Sequence, residues 1–401
     1  MHRRHFLATL AATAVAGTGS ALMPARALAA DCVAPAWPLW DLFKRFFLAE
    51  DGRVVDASVP EMHSTSEGQS YGMFFALVAN DRAAFDRMWQ WSIDNLMGGD
   101  VASRLPAWRW GRRPDGTWGE LDGNAAADAD LWFAYSLLEG ARLWEAPAYA
   151  EQARTLLARV VAEEVVNLPG AGRMLLPGPL GFARDNQIWR LNPSYQPIPV
   201  LRLLARLDAK GPWAEIATGT ARMLADTAPR GVVADWVAYQ GTGPASGHYA
   251  VDPDKGDVGS YDAIRVYLWA GLTPSTDPLA KPILASLAGM ARITQTLNAP
   301  PEYVSTISGG ARGTQTFGFA AALLPYLRAL GQDTLAATLR EQVLARIAQD
   351  TAAPAGGPQP PYYDYMLSLF ALGQTEQQYR FLPSGALQTS WEKTCRRAYR
   401  R

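Results

Sequence analysis

Three short stretches of this chain set a carboxyl beside aromatic and small residues. They are Ser66-Glu67-Gly68-Gln69-Ser70-Tyr71-Gly72, Ala127-Asp128-Ala129-Asp130-Leu131-Trp132 and Ser260-Tyr261-Asp262-Ala263-Ile264-Arg265. Asn192-Pro193-Ser194-Tyr195 and Tyr363-Asp364-Tyr365 are of the same kind. Hydrolysis of a glycosidic bond needs such a set. One carboxylic acid protonates the leaving oxygen, and a carboxylate activates water or attacks directly. Burial against rings raises one carboxyl so that it keeps its proton, while a wetter neighbour stays ionised. Taken singly, each acid has an ordinary explanation, because Asp and Glu cap the free N–H groups at helix N-termini and oppose the helix dipole. That explanation is sufficient for Asp130. It does not explain why Glu67, Asp128 and Asp262 all stand among Trp and Tyr residues.

The elements that must position these residues are helices. Apolar residues recur at helical spacing over 37–48, 67–78, 83–97, 126–144, 148–166 and 195–207, and again over 212–227, 261–270, 278–297, 316–330, 334–347 and 363–372. Few convincing strands are visible. Residues 73–78, 131–138, 263–269, 317–327 and 366–372 are apolar nearly all round, as in a helix with no solvent face. The intervening 83–97, 148–166 and 334–347 are charged on one side. Alternation of buried and half-buried helices predicts an inner ring wrapped by an outer ring, an all-α (α/α)6 barrel over residues 31–401. An α-solenoid is the alternative, but no repeated sequence unit supports it. The long loops 98–124, 169–193 and 230–260 all precede buried helices. A double ring therefore gathers them on one face, around the starts of the inner helices, where function concentrates. Trp108, Trp110 and Trp118 fall in the first of these loops. They are suited either to stacking on sugar rings or to forming a packed lid.

Composition removes other chemistries. A formal net charge of -1 lacks the basic face of a nucleic-acid binder and does not favour a polyanionic substrate. No cofactor is expected. A His-rich metal site is not expected either, since outside the N-terminal leader only His63 and His248 remain. His63 is a candidate to line the cleft, although a loop histidine satisfied by backbone is the commoner outcome. No G-x-S-x-G elbow or phosphate-binding glycine loop is present. Residues 1–30 read as an export signal: His2-Arg3-Arg4-His5, an apolar run to Met23, then Ala27 and Ala29 as a cleavage pattern. Arg3-Arg4 leaves Sec and twin-arginine export both open. The mature chain is then expected to be periplasmic or secreted, with no membrane insertion. Cys32 and Cys395 are candidates for a disulfide between the ends of the mature chain, with two free thiols as the alternative.

The three carboxyl-bearing segments resemble glycoside hydrolase family 8, in particular the endoglucanases encoded with bacterial cellulose synthases. The resemblance spans essentially the whole mature chain. It rests on Ser66–Met73, on the stretch from Ala126-Ala127-Asp128 through Leu137-Leu138, and on Ser260-Tyr261-Asp262-Ala263-Ile264-Arg265-Val266. Ala127 departs from the Ser or Thr usual there, which removes a hydroxyl near Asp128 and leaves the carboxylates in place. The resemblance implies an (α/α)6 barrel acting on β-1,4-glucan with inversion. Glu67 is then the general acid, Asp262 the base that activates water, and Asp128 the group that positions the sugar nearest the scissile bond. Tyr71, Trp108, Trp110, Trp132, Tyr195, Arg265, Tyr363 and Asp364 are the candidates to hold substrate. The partners implied are cellulose-type chains and the cellulose-synthase export machinery. The same family holds chitosanases, xylanases and mixed-linkage glucanases, and these remain alternatives. A glucan-binding scaffold with little catalysis, or a sugar lyase or epimerase using Tyr195 or Tyr363, is a further one.

Overall fold

The computed structural model describes residues 35–314, 316–352 and 359–392, all within one compact unit. Residues 1–30, with the expected export signal, and both Cys32 and Cys395 lie outside the described residues.

Thirteen α-helices occur among the described residues. They are α1 Pro38–Phe47, α2 Ser66–Val78, α3 Arg82–Leu96, α4 Ala127–Leu143, α5 Pro147–Glu163, α6 Ile198–Leu207 and α7 Trp213–Thr227, followed by α8 Ala263–Leu272, α9 Ala280–Ser286, α10 Ala288–Leu297, α11 Phe317–Ala329, α12 Asp333–Ala352 and α13 Tyr362–Thr375. Every residue is buried over 68–78 of α2, 127–140 of α4, 263–270 of α8, 318–327 of α11 and 364–373 of α13. These helices and α6 form the inner ring. The outer helices bury one stripe: α12 hides Ala336, Leu339, Val343 and Ile347 at helical spacing and exposes the rest. The (α/α)6 barrel expected from the alternation is the observed fold.

Aromatic rings fill the middle of the ring. Phe370 of α13 lies 4.6 Å from Phe75 of α2, 5.1 Å from Trp132 of α4 and 5.0 Å from Trp269 of α8. Burying a side chain of this size contributes about 1.5–3 kcal/mol, so this hub is a major anchor of the barrel. Where α8 passes α11 the backbones nearly touch. A Cβ on Gly271 would stand 2.2 Å from the Tyr326 nitrogen, so only glycine fits.

Three expectations need correction. Residues 278–297 form two helices, α9 and α10, because Leu287 (φ -105°, ψ 1°) leaves the helical region between them. Residue 195 does not begin α6; Pro193–Tyr195 is a separate 3-10 turn, and Pro197 precedes a helix that starts at Ile198. Strands are also more numerous than the sequence suggested. A hairpin of Arg109–Arg112 and Trp118–Asp122 pairs with Ser64–Thr65. A four-stranded antiparallel sheet runs Ala183–Arg184, Ile188–Leu191, Val237–Gly243 and Ser246–Val251. Val258–Gly259 pairs with Tyr303–Ser305. These strands have two to seven residues, too few for an alternating pattern to stand out, and several of the pairings join segments distant in sequence, as Ile188–Leu191 with Val237–Gly243. They give the loops a rigid backbone, and several run directly into an inner helix.

Candidate active site

Glu67 sits in the first turn of α2. The side chain of Thr65 caps that helix by accepting the Gly68 N–H at 3.0 Å, so the cap does not draw on the Glu67 carboxyl. The Ser66 N–H donates to the Trp108 carbonyl at 2.9 Å and so pins the aromatic loop to the helix start. The Trp108 indole N–H then donates to Glu67 Oε1 at 3.1 Å, and the Ser66 hydroxyl lies 3.3 Å from Oε2. Burial, followed by the negative charge of Asp128, pushes Glu67 up to about 8. It therefore carries its proton at neutral pH. A Cβ on Gly68 would come 3.1 Å from the Tyr362 hydroxyl and narrow the space beside this carboxyl.

Asp128 begins α4 and is almost fully buried. Its Oδ2 accepts the Tyr71 hydroxyl at 2.9 Å, and its Oδ1 accepts the Ala129 N–H at 2.9 Å. Burial pushes it up to about 6, opposed by the Arg265 charge and the Tyr71 hydrogen bond. Arg265 joins this residue to the third carboxyl. Its Nη1 is 3.6 Å from Asp128 Oδ2, while its Nη2 is 2.7 Å from Asp262 Oδ1 and 3.0 Å from Ser194 Oγ. The guanidinium also faces the Tyr195 ring at 5.6 Å. Asp262 retains 29% side-chain exposure, so water reaches it. The Tyr363 hydroxyl donates to the Tyr261 carbonyl beside it. A cavity of about 190 Å³ opens beside Glu67 and Arg265, with Tyr71, Trp108, Tyr362 and Tyr363 also in its wall. His63 also lines it, between Asp56 at 3.6 Å and Arg109 at 3.1 Å.

Residues from α2, α4, α8, α13 and the 3-10 turn before α6 thus meet at one rim. Glu67, Asp128, Asp262, Tyr71, Trp108, Tyr195, Arg265 and Tyr363 are brought together. Three other candidates are not. Trp132 is 1% exposed and packs against Phe74, Phe370 and Trp269 in the barrel core, because its position in α4 faces the ring axis. Asp364 is 3% exposed; its Oδ1 accepts the Thr316 hydroxyl and, at 3.2 Å, the Gly318 N–H, so it caps α11 from α13. Trp110 packs edge-on against Trp91 at 5.3 Å and stacks on Trp118 at 5.6 Å, with the Arg53 guanidinium 4.6 Å and 4.7 Å from the two rings. Asp130 is turned into the core, where its carboxyl and that of Glu164 are both fully buried and raised well above the usual range, chiefly by burial.

Two residues at the rim escaped the sequence reading. Tyr362 lines the cavity one position before Tyr363. Asp235, inside the long loop 230–260, accepts backbone N–H groups at the start of α8. An acid beside Trp236 in a long loop was the available signal for it.

The likeness to known proteins agrees with this geometry. A family model described as "Glycosyl hydrolases family 8" matches residues 17–377. An endoglucanase of Pseudomonas fluorescens (strain SBW25) is 45% identical over 403 residues, covering 97% of this chain and 99% of its own length. An endoglucanase of Escherichia coli (strain K12) is 42% identical over 359 residues, covering 90% of this chain and 92% of its own. Among solved structures, the endo-1,4-D-glucanase from Vibrio fischeri ES114 matches with a TM-score of 0.83 at 38% identity, over 89% of this chain and 100% of that one. The endo-beta-1,4-glucanase CMCax from Acetobacter xylinum matches with a TM-score of 0.64 at 26% identity, over 84% of this chain and 96% of that one.

Proposed function

The chain belongs to glycosyl hydrolases family 8 and is an endoglucanase, and from that premise we propose that it cuts β-1,4-glucan with inversion, Glu67 acting as general acid and Asp262 as general base. The observation that carries this reading is the unequal environment of the two carboxyls. Glu67, raised to about 8, holds a proton at neutral pH and gives it to the leaving oxygen. Asp262 lies against the Arg265 guanidinium, is open to water, and accepts the proton of the attacking water. Asp128, tied to Tyr71 and Arg265, presents negative charge where the sugar ring develops positive charge and positions the sugar nearest the scissile bond. Trp108 offers an apolar face to a glucosyl ring while its N–H fixes Glu67.

Inversion has a direct test. An inverting pair leaves about 6.5–9.5 Å between its carboxyls for the water, whereas a retaining pair stands about 5–5.5 Å apart. Proton NMR of a fresh digest of a soluble cello-oligosaccharide should show the α-anomer first. The β-anomer first would overturn the role of Asp262. Running barley glucan, xylan and chitosan beside the cellulose derivative separates the alternatives of substrate, and cellulose derivative should be the best substrate.

The proposal extends to place and partners. The leader at 1–30 supports action outside the cytoplasm, on glucan delivered by a cellulose-synthase export system. Among the described residues, no helix is long and apolar enough to cross a membrane. Fractionation of cells producing the full chain, with N-terminal sequencing of the mature protein, should give a periplasmic or secreted species beginning near residue 31.

A further inference from the structure

An aspartate at the start of a helix ordinarily spends its carboxyl on the helix's own free N–H groups. Asp262 occupies the N-cap position of α8 and makes no such bond. Its carboxyl points instead to Arg265 and to water. The N–H groups an N-cap carboxyl would take, those of Ile264 and Arg265, donate instead to the Ser260 carbonyl at 3.0 Å and the Asp262 carbonyl at 3.1 Å. Asp235 reaches in from the loop before α8, and its Oδ1 accepts the Ser260 N–H at 2.7 Å and the Ala263 N–H at 2.7 Å. These donors flank Asp262 on both sides.

The two segments are built to stay in register. The Asp235 N–H donates to the Val258 carbonyl at 2.9 Å. A Cβ on Gly259 would fall 2.0 Å from the Val233 carbonyl oxygen, so only glycine allows this approach. On the other side the Ser260 hydroxyl donates to the Glu302 carbonyl at 2.6 Å. Trp236, next in sequence, stacks on Phe182 at 5.7 Å and 11° and so anchors the loop.

We propose that Asp235 is a positioning residue for the reaction: through the Ser260 and Ala263 N–H groups it holds the backbone on both sides of Asp262 at the start of α8, and so fixes where the Asp262 carboxyl stands to serve as base. The proposal rests on Asp262 acting as the base. Burial and then the charge of Asp262 push Asp235 up to about 6, consistent with two carboxyls held close together. What the cap requires of Asp235 is an acceptor oxygen at one place. A neutral amide supplies that oxygen and a methyl group does not.

The test compares Asp235→Asn, Asp235→Ala and Asp262→Asn in the full mature enzyme, with kcat and KM on cello-oligosaccharides and melting temperature for each. Asp235→Ala should lower kcat by about 10–100-fold, the cost of a base displaced by about 1 Å. Its KM should stay within about twofold of the wild type. Asp235→Asn should recover kcat to within about threefold. A kcat for Asp235→Ala equal to the wild type overturns the proposal. So does an Asp235→Asn that melts normally yet is as slow as Asp235→Ala, which would make charge rather than the acceptor the working feature. If Asp235→Ala does not fold, an Asp235→Asn that melts normally yet falls about tenfold or more in kcat overturns the proposal. An active Asp262→Asn would instead remove Asp262 as the base. An inactive one beside a fully active Asp235→Ala would remove only the role of Asp235.

Discussion

The starts of α2 and α8 carry the same kind of side chain and treat it in opposite ways. At α2 the carboxyl of Glu67 faces a Trp N–H, a Ser hydroxyl and the anion Asp128, in a half-buried corner. Burial, and then the second negative charge that proton loss would place beside Asp128, keep Glu67 protonated up to about pH 8. At α8 the carboxyl of Asp262 is paired with a guanidinium and exposed to water. In the proposed mechanism, acid and base thus differ by surroundings rather than by residue type. The caps differ as well: Thr65 serves α2 from the adjacent position, whereas Asp235 serves α8 from a separate segment.

The largest effect that can break this contrast comes from neutralising each carboxyl in turn. Glu67→Gln and Asp262→Asn should each lower kcat on cello-oligosaccharides by about 10²–10⁴-fold, the usual contribution of general acid–base catalysis. A dinitrophenyl cello-oligosaccharide needs no proton on its leaving group. It should restore turnover to Glu67→Gln and not to Asp262→Asn. Equal rescue of both, or of neither, would dissolve the distinction between the two sites.

Tyr71→Phe comes next. It removes the hydroxyl on Asp128 Oδ2 and should cost kcat about tenfold with a small change in melting temperature, in keeping with about 1.5–3 kcal/mol for a hydrogen bond to a charged group. Unchanged kinetics would show that Arg265 and the Ala129 N–H hold Asp128 without the Tyr71 hydroxyl.

A smaller effect sharpens the acid side. In the wild type kcat/KM should fall as pH rises through about 8, as Glu67 loses its proton. The Trp108 N–H favours the ionised form of Glu67, so Trp108→Phe should move that alkaline limb to higher pH. A shift to lower pH would contradict the assignment.

The smallest effect concerns a carboxyl pair that serves neither site. Asp130 and Glu164 are buried and raised, so the folded state holds protons that the unfolded chain gives up above about pH 4. Stability from these groups is greatest below that pH and is lost as pH rises. Asp130→Asn should therefore raise the melting temperature more at pH 8 than at pH 4, with activity within a few-fold of the wild type. An equal change at both pH values would return Asp130 to an ordinary cap. In all of these assays a chelator should leave the rate unchanged.

The sequence by itself determined the double ring, because a helix buried on every side needs apolar residues all round and an outer helix needs a stripe. It also pointed to Glu67, Asp128 and Asp262, because each has a Tyr or a Trp within four residues. Trp132 and Asp364 show the limit of that signal. Both stand beside the same kinds of neighbours, but a rotation of one helix face sends Trp132 to the barrel axis, and Asp364 is drawn to the N–H groups of α11. The short rim strands and the cap given by Asp235 were decided only in the tertiary structure. The strands are too short to show an alternating pattern, and a hydrogen bond between distant segments, such as that of Asp235, leaves no period in the sequence. The cap that Thr65 gives α2 is local in sequence, whereas that of Asp235 forms only once the loop has folded back and its carboxyl has something to accept.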